Sequence, residues 1–166
     1  MIPDEELDRR VRHGRLLALL FLVVMPAAYL IYAYFLKLER FNPDDSHHFM
    51  IYVIFIVAFI CPPISIIVKK FQIGNYRQNR GKVVKQGLLP FKKREIKMTP
   101  GQFYINLLIV QLSFVESVYI YGLITYFISA EMVNLLYFYI IGIIWSVIFW
   151  PREEKTKTFI QSLGEI

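Results

Sequence analysis

Cysteine is almost missing: Cys61 stands alone among 166 residues, so no disulfide can close within the chain. Glycine-rich phosphate loops, paired CxxC motifs and HExxH are missing too. That removes the usual sequence handles for nucleotide, structural-zinc and metalloprotease chemistry, so neither a cofactor nor a metal site is expected. Charge is absent, with one exception, from four long apolar runs: Leu16 to Leu36, Phe49 to Val68, Gln102 to Ser129 and Met132 to Phe149. The exception is Glu116. No Lys or Arg lies in any run to pair with it, and no second acid or histidine faces it, so an enzyme working within these runs is not expected.

What is present is apolar surface. Hydrophobic residues make up 56% of the chain and aromatic residues 16%, gathered into the runs rather than dispersed. Crossing about 30 Å of hydrocarbon takes about 20 helical residues, and each run meets or approaches that length. A closed barrel would show short alternating segments instead. The expected fold is therefore an all-α membrane protein with four transmembrane helices, in one tetraspan domain over residues 1–166. With no small-residue cleavage site behind it, the first run reads as an anchor, not a secretory signal.

The distribution of Lys and Arg orients the chain. The N-terminal tail carries Arg9, Arg10, Arg12 and Arg15, the segment 69–101 carries ten, and the C-terminal tail carries Arg152, Lys155 and Lys157. Seventeen of the nineteen fall on one side if both termini are cytoplasmic, which is the positive-inside pattern. Both termini and the basic loop 69–101 are thus expected in the cytoplasm, with the chain in the inner membrane of a prokaryote. Lys69, Lys70, Lys92, Lys93 and Arg94 are candidates for contact with anionic lipid headgroups. Nothing in the loop resembles a nucleic-acid-binding fold. His47 and His48, beside Asp44 and Asp45, have metal-ligand chemistry but match no known spacing; a solvated turn with a helix cap at Asp44 to Ser46 explains them better.

Helix ends are readable as well. Thr99-Pro100-Gly101-Gln102 offers an N-cap, a proline in the first turn and a capping-box glutamine. The connection around Ala130 and Glu131 is so short that the third and fourth helices must be antiparallel neighbours. Glu5, Glu6 and Asp8 stand four residues before Arg9, Arg10 and Arg12, a spacing that predicts a short helix leading into the first run.

A carboxylate at the bilayer centre costs roughly 2.5 to 3.5 kcal/mol on insertion scales, so Glu116 needs a role. Projected at 100° per residue, Gln102, Asn106, Ser113, Glu116 and Ser117 share a stripe about 100° wide. Such a stripe turns toward neighbouring helices or a wet cavity. Pro26, in mid-span, and Pro62-Pro63 each free a backbone carbonyl one turn earlier, a possible acceptor for a protonated Glu116. Tyr119 and Tyr121 lie too deep for an interfacial belt and are expected to find hydrogen-bond partners inside the bundle.

The stretch Glu116 to Ile128, ESVYIYGLITYFI, resembles the ion-binding helix of the ATP-synthase and vacuolar proteolipid c subunits, where an acid is followed by a Tyr-Gly-Leu stretch. The resemblance implies that Glu116 would carry a proton or sodium ion, with Tyr119, Tyr121 and Gly122 packed around it. The rest of the chain departs from that family: the second run is bulky and holds two prolines where a c subunit has a glycine ladder, and the acid lies on the third helix rather than the last. Two functions follow as expectations. The first is an assembly or accessory subunit, partnered by other membrane proteins or by copies of itself. The second is a proton- or cation-translocating subunit with Glu116 as its ligand.

Overall fold

The computed structural model describes residues 4–36, 45–78, 84–86, 94–96 and 99–164. Its helices are α1 (Asp4–Leu19), α2 (Met25–Leu36), α3 (Asp45–Gln78), α4 (Pro100–Ser129), α5 (Met132–Phe149) and α6 (Glu153–Gly164). A π-helical turn, Leu20–Val24, joins α1 to α2 in one rod. That rod, α3, α4 and α5 are long and apolar enough to cross a membrane. Between α3 and α4 lies a short antiparallel ribbon, β1 (Val84–Gln86) on β2 (Arg94–Ile96), with Lys85 opposite Glu95.

Proline explains the π-helical turn. Pro26 has no N–H for the Leu22 carbonyl, and its ring crowds that carbonyl. The preceding turn widens, so that the Met25 N–H reaches back to the Leu20 oxygen. One extra residue is thereby absorbed, and Leu7, Val11, Gly14, Ala18, Leu22, Pro26 and Ala33 stay in one buried stripe on the rod that packs against α4. Pro62 and Pro63, by contrast, do not interrupt α3; the Ser65 hydroxyl donates within the same turn to the Pro62 carbonyl at 2.6 Å.

α4 occupies the centre, touching every other helix and burying more of its span than they do. Its start follows from Thr99: the Gln102 N–H donates to Thr99 Oγ1 at 3.3 Å while the Thr99 N–H donates to Gln102 Oε1 at 3.0 Å. Its end follows from Ala130, which adopts a left-handed conformation at φ 53° and donates its N–H to the Tyr126 carbonyl. α5 returns at once, antiparallel. Two glycines let it come close: a Cβ at Gly122 would lie 2.7 Å from Phe138 Cβ, and one at Gly142 would lie 2.5 Å from Tyr119 Cζ.

The apolar run of the second span ends at Val68, but α3 continues ten residues further, to Gln78. The start of the basic segment 69–101 is therefore helical, with Lys69, Lys70 and Arg77 on an extension that packs beside α4 through Tyr76 stacked on Phe103 at 4.1 Å. The cap at Asp44, the side chains of His47 and His48, Lys92, Lys93 and the side chain of Arg94 lie outside the described residues.

At this same end α6 folds back over the bundle. Its apolar positions Ile160 and Leu163 are buried, Thr156 meets the Tyr104 hydroxyl at 3.2 Å, and Lys69 of α3 sits 5.3 Å above the Phe159 ring. Ion pairs fasten it to α1: Arg15 to Glu153 at 3.3 Å and Lys157 to Asp8 at 2.6 Å. Asp8 is thus drawn to α6, while Glu6 and Arg10 pair within α1 at 3.5 Å. The N-terminal and C-terminal helices share one end of the bundle.

The Asp8 carboxylate, aided by Glu153, holds the Lys157 ammonium above the ordinary lysine value of 10.5. A raised lysine contributes its full stabilisation below that ordinary value and loses it as pH rises through the raised one. A spin label on Thr158→Cys, in a Cys61→Ser background, is expected to stay immobile from neutral pH to about 10 and to loosen above it. Lys157→Arg should remain immobile across the same range, because its guanidinium keeps its charge.

Candidate functional site

Two small clusters of polar groups lie where the first rod, α4 and α5 meet. The first centres on Glu116, which is 9% exposed and sits sixteen residues from Pro100 and thirteen from Ser129, near the middle of α4. The Tyr29 hydroxyl of α2 donates to Glu116 Oε1 at 2.8 Å. Tyr29 lies three residues after Pro26, on the side of α2 turned toward α4.

The second cluster lies next to the first. Ser146 donates to the Gly142 carbonyl at 2.8 Å, which uses its single proton, so the Tyr119 hydroxyl must be the donor to Ser146 Oγ at 2.9 Å. The Tyr119 and Tyr139 rings meet edge to face at 5.1 Å between centroids. The Tyr139 hydroxyl donates across the bundle to the Pro26 carbonyl. Tyr139 thus meets the proline's own carbonyl and not the Leu22 carbonyl that the ring frees, and Glu116 accepts from Tyr29.

The other residues of the stripe are arranged differently. Gln102 is exposed and holds the N-terminal cap of α4. Ser113 is exposed and donates to the Ile109 carbonyl at 2.9 Å; Ser117, half-buried, donates to the Phe114 carbonyl at 2.8 Å. Asn106 is exposed, on the same side of α4 as Gln102 and Ser113. Glu116 stands at the edge of this stripe, beside the buried Leu112, Val115 and Tyr119. Of the residues around it in sequence, Tyr121 packs against Ala58, Val118 and Phe138 near Cys61 of α3, and Gly122 admits Phe138.

A cleft of about 590 Å³ opens between the π-helical turn and α5. Leu22, Val23, Pro26 and Ala27 form one wall and Ile143 and Val147 the other; Tyr119, Tyr139 and Ser146 lie at its inner side, and Trp150 and Arg152 line it at the end of α5. Neither Glu116 nor Tyr29 lines it. Among the described residues, no three His, Cys, Asp or Glu side chains come together as a metal site would require. Three residues here were not singled out from sequence: Tyr29 and Tyr139, whose pairings depend on the register between separate helices, and Ser146, which reads as one small residue in an apolar run.

Compared with known proteins, the chain matches no family model, and neither a curated protein nor a solved structure is significantly similar to it.

Proposed function

We propose that this protein is a small multi-pass membrane subunit without catalytic chemistry, which assembles with copies of itself or with other membrane proteins. Both termini and the basic segment face the cytoplasm of a prokaryotic inner membrane, as the clustering of Lys and Arg at one end favours. Support comes chiefly from one observation: the polar groups where the rod, α4 and α5 meet fasten helices together. Tyr29 closes on Glu116, Tyr119 on Ser146 and Tyr139 on the Pro26 carbonyl, each joining two helices. Interhelical hydrogen bonds of this kind contribute about 0.6 kcal/mol each and fix rotation and register more than they add stability. The rod, α3 and α5 meanwhile present large apolar side chains outward, including Phe35, Phe59 and Val147.

A second reading draws on the other carboxylate oxygen. Glu116 Oε2 has no hydrogen bond among the described residues, leaving an acceptor for a proton or cation, as the likeness to proteolipid c subunits implies. One substitution separates the two readings. Glu116→Gln preserves the acceptor for Tyr29, so a packing role predicts a stability loss below about 1 kcal/mol, an unchanged oligomer and full cellular function. If a hydrophobic carbodiimide labels Glu116 in a pH-dependent, cation-protected manner, or if the Gln variant folds yet loses function, the ion-binding reading replaces the first.

A further inference from the structure

We infer that the cleft between the π-helical turn and α5 holds one acyl chain of an anionic phospholipid, with the headgroup phosphate on Arg152. The cleft lies against the wide turn that precedes Pro26, and π-helical turns are frequent at functional sites. Its length suits one leaflet. From Trp150 to Tyr139 is eleven residues of α5, or about 16 Å at 1.5 Å per residue. That is about half of a hydrocarbon core about 30 Å thick.

The chemistry of the wall points to hydrocarbon. Ser146 donates to the Gly142 carbonyl, Tyr119 to Ser146 and Tyr139 to the Pro26 carbonyl, so every hydroxyl proton lining the cleft is already committed. A ligand with its own polar groups would find no free hydroxyl donor there, whereas an acyl chain needs none. Val23, Ile143 and Val147 are also exposed on the outer side, so the cleft opens sideways toward lipid.

The mouth selects charge. Arg152 is exposed, and among the described residues it has no ion pair. Its neighbour Glu153 cannot neutralise it, being held by Arg15 at 3.3 Å and Lys157 at 3.1 Å. A guanidinium left free at the end of a membrane span matches a phosphate in both charge and fork geometry. Trp150 beside it suits the headgroup level.

Trp150 supplies the probe. In a Trp145→Phe background, which leaves one tryptophan, the protein is reconstituted into phosphatidylcholine bilayers containing a minor fraction of brominated lipid. Brominated phosphatidylglycerol should quench Trp150 as though about fivefold enriched at the site over its bulk share, whereas brominated phosphatidylcholine should quench according to its share. Arg152→Gln should bring the two lipids level, Arg152→Lys should keep part of the preference, and Ala27→Phe should fill the cleft and lower quenching by both. Equal quenching by the two lipids in the chain with native Arg152, or a preference undiminished in a folded Arg152→Gln protein, overturns the assignment. The first of these outcomes needs no substitution at the site.

Discussion

Gly142→Leu is expected to lower the stability of the bundle by about 3 kcal/mol, the upper end of what forced overpacking costs. The first added carbon already meets a wall: a Cβ at this position would lie 2.5, 2.6 and 3.0 Å from Cζ, Cε1 and Cε2 of Tyr119. That ring cannot easily withdraw, being fully buried, hydrogen-bonded to Ser146 and packed edge to face on Tyr139. Moving it would disturb the contact that joins α4 to α5 and, through Tyr139, the contact that joins α5 to the first rod. Gly74 provides the comparison, since a Cβ there meets nothing within 4 Å. Gly74→Ala should be neutral or stabilise α3 by up to about 1 kcal/mol, because alanine is the better helix former. Thermal denaturation in detergent, followed by retention of the folded species on a sizing column, reads both. Tyr119→Ala should make room for the new side chain, so the double variant should be more stable than the sum of the two single losses predicts. Equal losses for leucine at positions 74 and 142 would contradict the close approach.

How much of this could be read in advance depended on whether a feature is local in sequence. The four spans were legible because a helix in hydrocarbon satisfies its own backbone and needs only length and apolarity. The α4 cap was legible for the same reason, with Thr99 and Gln102 only three residues apart. What failed to show was longer in range or broke the average period. Glu116 and Tyr29 are 87 residues apart, and their pairing depends on helix rotations that no single segment fixes. The π-helical turn shifts the face of the first rod by one residue, which a constant 100° projection cannot capture. The stripe from Gln102 to Ser117 is genuine as a projection, yet serine can bond its own preceding turn, and Ser113 and Ser117 do so. The C-terminal tail did carry a signal: Thr156, Ile160 and Leu163 stand at helical spacing and all three are buried.

Glu116→Lys should have the other large effect, about 3 kcal/mol, the scale of placing an unpaired ammonium at the centre of a span. The new side chain starts sixteen residues from Pro100 and thirteen from Ser129, too deep to reach either interface easily. No other acid lies in the four apolar runs to receive it. It would also remove the acceptor of the Tyr29 hydroxyl. Glu116→Gln keeps that acceptor and adds no charge, so the stability order should be Glu, then Gln, then Lys. Tyr29→Glu offers a sharper test. On its own it places a second carboxylate beside Glu116 and should destabilise, but combined with Glu116→Lys it sets opposite charges across the same helix contact. Desolvation of both ions keeps the recovery partial, with a coupling energy on the order of 1 to 2 kcal/mol. Measured as yield of folded protein and as denaturation midpoint in detergent, the double variant should therefore exceed either single one. If it is no better than Glu116→Lys alone, α2 and α4 do not meet at this pair, and Glu116 must be held by something other than Tyr29.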